Sequence, residues 1–344
     1  MASLADVPAI LSETGIRPGS CLVVTDKHVA THYLGPLSKA LADSAYSPTT
    51  IILPPGEATK SPSALQTIYD AALDAGIDRE TPILALGGGV VGDLAGYAAA
   101  TLLRGLPFVQ LPTTLIAQVD SAIGGKTGIN HAIGKNLIGA FHQPRVVIAD
   151  LSTLNTLTER EWFSGLAEVV KHALIEDLEL LALLEQQWPA ILRRDADVVA
   201  EVVFRAAAVK AHIVAKDERE AGRRAVLNFG HTFGHAIERV AGYGRLTHGE
   251  AVALGMRAAL RVSGTLHADL PVERADRLVG SIPTRHPPKD MPMDALMAAM
   301  RADKKVRAGA LRLVLLRRLG EAYVTGGVPE SDIHAAWAFV CSLG

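Results

Sequence analysis

The sequence predicts an α/β fold, with an N-terminal Rossmann-like parallel-sheet domain over residues 1–155 and a C-terminal, mainly helical domain over residues 156–344. Three observations carry this. Short β-like runs alternate with helical patterns through the first 150 residues, which implies crossover connections and parallel pairing. Beyond about residue 155 those runs give way to Ala/Leu/Val-rich helical periodicity. Apolar residues make up 49% of the chain but aromatics only 5%, so the core must be packed from Ala, Val, Leu and Ile. A length of 344 residues suits two such domains.

The β-like runs are CLVVTD (21–26), TTIILP (49–54), PILALGGG (82–89), PFVQLP (107–112) and RVVIADL (145–151), each ending in a polar or glycine-rich loop. Helical periodicity then covers 161–188, 195–217, 229–242 and 248–267, and LRLVLL (311–316) reads as a late strand or hairpin. No run of about 20 apolar residues is present, and the first 15 residues lack the basic start and apolar stretch of a signal peptide.

Lys plus Arg (34) nearly cancels Asp plus Glu (36), which argues against nucleic acid or a membrane surface as a partner. Cys21 and Cys341 are the only cysteines, too few for a disulfide framework, so a reducing cytoplasm is expected.

In LALGGGVVGDLAGYAAA (84–100) glycines follow a strand and open an Ala-rich helix, an arrangement that lets backbone N–H groups approach a pyrophosphate. The spacing is not the usual dinucleotide fingerprint, and glycine-rich turns are often only tight turns. Two further strand-end loops add Glu57 with Lys60, and Thr113 with Thr114. Together they suit a dinucleotide.

In NFGHTFGHAIE (228–238), His231 and His235 stand four apart on one helix face, a spacing that suits a metal pair. His248 follows in a loop, and Glu168 lies one turn before Lys171 and His172. Twelve histidines produce such pairs readily, and spacing alone leaves open whether one of them is an acid/base group. Arg104, Asp120, Lys126, Lys135 and Asn136 crowd a glycine-rich stretch suited to a phosphate, although no Walker A loop is present. Lys171, Lys210, Arg224 and Lys304 recur in apolar helices; taken singly, such residues read as solvated surface charges, but Lys171, beside Glu168 on a mostly apolar helix, looks least like one and could pair with the glutamate.

Read together, GGGVVGDLAGYAAA, RGLPFVQLPTTLIAQVDSAIGGKTGIN, GKNLIGAFHQP, GLAEVVKHALI, KDERE, LNFGHTFGHAIE, HGEAVALGM and DKKV resemble 3-dehydroquinate synthases, in order and with matching spacing, from about residue 22 to 320. The resemblance implies an NAD-binding N-terminal domain, a C-terminal metal- and substrate-binding domain holding Zn2+ or Co2+, an active site in the cleft between them, and a homodimer. It assigns Glu168, His231 and His248 to the metal. His235, Glu220 and Lys171 become the catalytic residues. Arg104, Asp120, Lys126, Asn136, Lys171, Lys210, Arg224, Asn228 and Lys304 are expected to contact substrate. Asp26, Glu57, Lys60, Gly88, Gly89, Val90, Asp93, Thr113, Thr114, Lys135 and Thr156 are expected to contact NAD.

The activity so implied is that of a phosphate lyase of the shikimate pathway. It converts 3-deoxy-D-arabino-heptulosonate 7-phosphate to 3-dehydroquinate and phosphate by transient oxidation, elimination, reduction and intramolecular aldol closure. A sugar-phosphate cyclase of secondary metabolism and a metal-dependent polyol dehydrogenase are the competing expectations. One departure is visible. The first strand, CLVVTD, has little sequence ahead of it where the family opens with an extra strand or hairpin, so the N-terminal sheet edge is expected to differ.

Overall fold

The computed structural model describes residues 3–242, 244–285, 291–302 and 311–343. By its internal contacts the chain divides into two compact units, Met1–Leu157 and Thr158–Gly344.

The first unit is built on a five-stranded parallel sheet of order β2-β1-β3-β4-β7. The strands are β1 (Ser20–Asp26), β2 (Ser47–Leu53), β3 (Ile83–Gly87), β4 (Phe108–Pro112) and β7 (Val146–Val147). α1 (Val7–Glu13) precedes them, and the helical segments between them are the single turn α2 (Lys27–Val29), α3 (Gly35–Asp43), α4 (Pro62–Asp74) and α5 (Gly89–Thr101). Strand alternation separates two cores. Leu22, Val24, Ala85 and Phe108 pack with Ile68 of α4 and Leu94 and Ala98 of α5. Cys21, Val23, Leu84 and Leu86 face the opposite way, onto Val7 and Leu11 of α1 and Leu37 and Leu41 of α3. Burial on both faces explains why β3 and β4 read as unbroken apolar runs.

Two details differ from expectation. RVVIADL pairs only through Val146 and Val147. The chain leaves the ladder because the Asp150 carboxylate accepts from the backbone N–H groups of Ser152 and Leu4, each at 2.9 Å. The stretch 126–141, unassigned by periodicity, is an antiparallel hairpin of β5 (Lys126–His131) and β6 (Gly134–Phe141). At the sheet edge β2 is outermost among the described residues, and the segment ahead of β1 forms α1 against a sheet face.

The second unit is mainly helical: α6 (Glu159–Ile175), α7 (Leu178–Leu192), α8 (Ala196–Lys216), α9 (His231–Ala241), α10 (His248–Leu266), α11 (Val272–Gly280), α12 (Met293–Arg301) and α13 (Glu330–Cys341). A hairpin of β8 (Arg312–Arg318) and β9 (Glu321–Gly326) follows α12, as the late apolar run suggested. α10 is buried almost all round, with α6, α9, α11, α13 and β8 against it. The periodicity over 161–188 belongs to two helices. Asp177 divides them, its Oδ1 accepting from Glu179 N and Leu180 N at 2.9 Å to cap α7. Asp177→Ala should therefore cost about 1 kcal/mol. In a calorimetric scan the second unit should melt about 2–4 °C lower.

Candidate active site

The second unit places Glu168 of α6 fully buried, with His231 and His248 as the first residues of α9 and α10. Glu168 Oε1 lies 3.5 Å from His231 Nε2 and 3.3 Å from His248 Nε2, and its other oxygen is paired with Lys171 Nζ. Oε1 makes no well-directed hydrogen bond, although two imidazole nitrogens converge on it. One ligand atom from each of Glu168, His231 and His248 falls within 4.8 Å of the others. Each imidazole is also engaged on its far side: His231 Nδ1 lies 3.2 Å from Phe229 O, and His248 Nδ1 lies 3.5 Å from Glu238 Oε2. Partners on both Nδ1 atoms favour the tautomer that aims Nε2 inward, as metal-bound histidines require. Two N donors and one buried carboxylate fit a catalytic zinc-type ion with a position left for substrate.

The side chains of the cluster also set one another's charge. Burial alone would raise the Glu168 carboxyl, but Lys171, His231 and His248 outweigh it and hold the group well below the usual range. Burial alone would lower His248, but Glu168 and Glu238 push it up to about 10. His235, one turn after His231, has its ring centroid 5.5 Å from that of His231 and 6.1 Å from that of His248. A second triple, His235, Glu238 and His248, also brings ligand atoms within 4.8 Å, but its carboxylate, Glu238, is not fully enclosed as Glu168 is.

Backbone geometry lets three helix segments meet there. Gly230, which precedes His231, has φ 78°, and a Cβ on it would lie 2.7 Å from Met256 N. A Cβ on Gly249 would come within 2.0 Å of Ser164 O. These two positions require glycine so that α9 and α10 start against their neighbours.

Lys171 is 1% exposed and paired with Glu168, as its place on an apolar helix suggested, whereas Lys210 and Arg224, which read singly as surface charges, are instead 7% and 2% exposed. That correction follows from their helices being enclosed on the faces that carry them. Arg224 donates to Glu218 O, and the loop bearing it is wound around Asp217, which accepts from Ala221, Gly222 and Arg224 N–H groups at 2.8–3.0 Å. Asn228 Nδ2 donates to Glu220 Oε1 at 2.6 Å, and Glu220 has φ 57°. Lys304 lies outside the described residues.

In the first unit most of the expected NAD contacts gather at the carboxyl ends of the strands. Strand order reverses between β1 and β3, the position at which such sheets bind nucleotides. Gly88 caps α5 without a side-chain hydrogen bond, so its first-turn N–H groups are presented by Gly89 and Val90. Thr113 N donates to Gly87 O at 3.0 Å, and the Thr114 methyl would lie 3.0 Å from a Cβ on Gly88. Lys60, only 4% exposed, donates to Asp93 Oδ2 at 2.6 Å and also to Asn136 Oδ1. Asn130 ties the hairpin tip to Glu57 Oε1 at 2.7 Å and accepts from Asn136 N at 2.9 Å, a link the sequence did not signal. Lys135 is the second residue of β6, next to Asn136. Asp26 caps α2 through His28 N and Val29 N, and Thr156 meets Tyr33 Oη at 2.7 Å.

Asp120 lies in the turn Ala117–Ser121, while Lys126 starts β5 at the end of the hairpin away from Asn136. Arg104 is not brought to this group. It follows the far end of α5, whose 13 residues span about 20 Å, in a turn where Leu103, Arg104 and Gly105 have φ of 49°, 68° and 130°.

Residues 50–164 match the family model described as 3-dehydroquinate synthase N-terminal, and residues 165–306 match 3-dehydroquinate synthase C-terminal. The chain belongs to the 3-dehydroquinate synthase family. The 3-dehydroquinate synthase of Salinibacter ruber is 57% identical over 342 residues, covering 99% of this chain and 93% of that protein. The 3-dehydroquinate synthase of Acinetobacter baumannii is 49% identical over 322 residues, covering 92% and 89%. Among solved structures, ValA, the 2-epi-5-epi-valiolone synthase of Streptomyces hygroscopicus with NAD+ and Zn2+ bound, superposes with a TM-score of 0.88 at 30% identity over 99% of this chain and 95% of that one. Glycerol dehydrogenase from Schizosaccharomyces pombe shares the fold at a TM-score of 0.67 and 17% identity, over 99% and 87%.

In this member of the 3-dehydroquinate synthase family the glycine contact at α10 is directly testable. Gly249→Ala should destabilise the second unit by the roughly 1–3 kcal/mol of an overpacked contact. Calorimetry should record the loss as a lower melting temperature in the metal-free chain.

Proposed function

We propose a division of labour among the residues of this chain for the 3-dehydroquinate synthase reaction of its family. Glu168, His231 and His248 hold a Zn2+ or Co2+ ion. The loops after β1 to β4, with Lys60, Asp93 and the start of α5, hold NAD. The single observation that carries the metal assignment is the convergence of two imidazole Nε2 atoms on a wholly buried carboxylate oxygen. The bound metal supplies a Lewis acid, and NAD supplies the hydride acceptor and donor.

The chain's own groups do the rest. His235, beside the metal set, moves the proton of the C5 hydroxyl of 3-deoxy-D-arabino-heptulosonate 7-phosphate. Glu220, oriented by Asn228, serves as a second proton-transfer group. Lys171 balances Glu168 and, with Lys210 and Arg224, gives the second unit three enclosed cations that suit phosphate and carboxylate oxygens. In this reading they hold the departing phosphate while one of its own oxygens takes the C6 proton. The family resemblance adds Asp120, Lys126, Asn136 and Lys304 to the residues expected to contact substrate.

The choice of substrate within the cyclases rests on relatives at 49–57% identity that are 3-dehydroquinate synthases, against 30% for the valiolone synthase. The dehydrogenase likeness supports the fold alone. A cytoplasmic homodimer is the physical state we assign. Two free cysteines, one of them buried, suit a reducing compartment, and no helix among the described residues is long and apolar enough to cross a membrane. The homodimer rests on the family resemblance.

Phosphate release from the seven-carbon substrate with catalytic NAD should be stoichiometric with dehydroquinate and leave no 340 nm absorbance. Chelation should abolish it, and Zn2+ or Co2+ should restore it. Turnover of a non-carboxylated sugar phosphate in preference, or NADH build-up with simple polyols, would contradict the reading. His235→Ala should keep its metal and slow turnover by about 100- to 10,000-fold. His248→Ala should lose stoichiometric metal, since two protein ligands rarely retain zinc.

A further inference from the structure

Arg160, Ser164 and Glu168 stand four residues apart in succession on α6 and so share one helix face. Glu168 is the buried carboxylate of the proposed metal set, and the other two meet the start of α10, whose first residue is His248. Ser164 Oγ accepts from Gly249 N at 3.0 Å. Arg160 Nε donates to Glu250 Oε1 at 3.1 Å, and its Nη2 donates to Glu250 Oε2 at 2.7 Å and to Arg245 O at 2.9 Å. Glu250 in turn closes a capping box, accepting from Thr247 N at 2.7 Å and donating its own N–H to Thr247 Oγ1 at 3.2 Å.

The first turn of α10 is thus fixed to α6 at successive turns of one helix. The guanidinium also fastens the chain that enters α10, through the Arg245 carbonyl. A helix start of this kind otherwise has orphan N–H groups and is free to fray or rotate. Rotation there carries the His248 ring with it, because His248 is the first helical residue. The bidentate fork matters: it fixes carboxylate orientation in a way a point charge does not.

We propose that Arg160, acting with Ser164 through Glu250 and Gly249, is a positioning residue that sets the register of His248 against Glu168. The inference rests on the reading of Glu168, His231 and His248 as the metal set. It concerns how the ligand geometry is held, not which groups are ligands.

The test pairs Arg160→Met with Glu250→Gln, so that no buried charge is orphaned and the glutamine can still accept from Thr247 N. Metal-free protein is titrated with Co2+ against a chelating indicator, and the visible Co2+ bands are recorded. The double variant should melt near the unaltered chain and bind Co2+ about 10- to 100-fold more weakly. It should also show altered band intensities and lose kcat with little change in KM for the sugar phosphate. Arg160→Lys keeps the charge but not the fork, and should weaken Co2+ binding with the fold intact; it decides the matter if the double variant does not fold. Native Co2+ affinity and bands in the folded variants would overturn the proposal. His248→Ala in the same titration separates the two levels: if it binds Co2+ as tightly as the unaltered chain, the metal reading itself fails and this inference with it.

Discussion

The second unit is organised around one expensive group, the carboxylate of Glu168, which has no exposure to solvent. A buried charge is tolerated only when opposite charges and donors surround it. Here Lys171 takes one oxygen while the imidazoles of His231 and His248 face the other. Three helices must begin or pass within a few ångströms for that to happen, which is why glycine is needed at Gly230 and Gly249, where any Cβ would collide with neighbouring backbone. The partners of the imidazole Nδ1 atoms, Phe229 O and Glu238, belong to the same constraint, because they turn the inner nitrogens toward the carboxylate. The arrangement is one a divalent cation would stabilise, since it would supply positive charge where the three side chains converge.

The first unit follows a different logic. Its parallel sheet is enclosed on both faces by apolar side chains, so polar function is confined to the loops at the strand ends. Lys60 links these loops, joining the turn after β2 to the first helical turns after β3 and to the hairpin tip. Its enclosed ammonium group is compensated by Asp93 and by the Asn136 carbonyl. The glycine-rich turn is therefore one part of a cross-linked rim.

Sequence patterns exposed some of this well and some not at all. The sheet strands were legible because runs such as CLVVTD and ILALG are short, β-branched or aliphatic, and bounded by turn residues. The hairpin was not, because KTGINHAIGKNLIGAF mixes glycine and polar residues and β6 leaves Leu137, Ile138 and Phe141 exposed. Helical spacing found the His231 and His235 pair, but the convergence of His231 with His248 on Glu168 depends on helices 63 or more residues apart in sequence from Glu168, which only the family motifs carried. The burial of Lys210 and Arg224 contradicted their single-residue reading, since lysine and arginine in helices are usually solvated, while Lys171 beside Glu168 on an apolar helix was legible as a buried partner. The contacts of Arg160 with Glu250 and of Glu238 with His248 left no local signal, because each joins positions that become neighbours only after the helices pack. Arg104 shows the converse: its motif is intact, yet within one chain it stands at the far end of α5.

The central claim is that the charge of Glu168 organises the metal centre. The most direct measurement is zinc stoichiometry and affinity for Glu168→Gln, with far-UV circular dichroism as the control for folding. The account predicts a folded chain that no longer retains stoichiometric zinc through gel filtration. A folded Glu168→Gln chain that holds one zinc per subunit with unchanged affinity would contradict it.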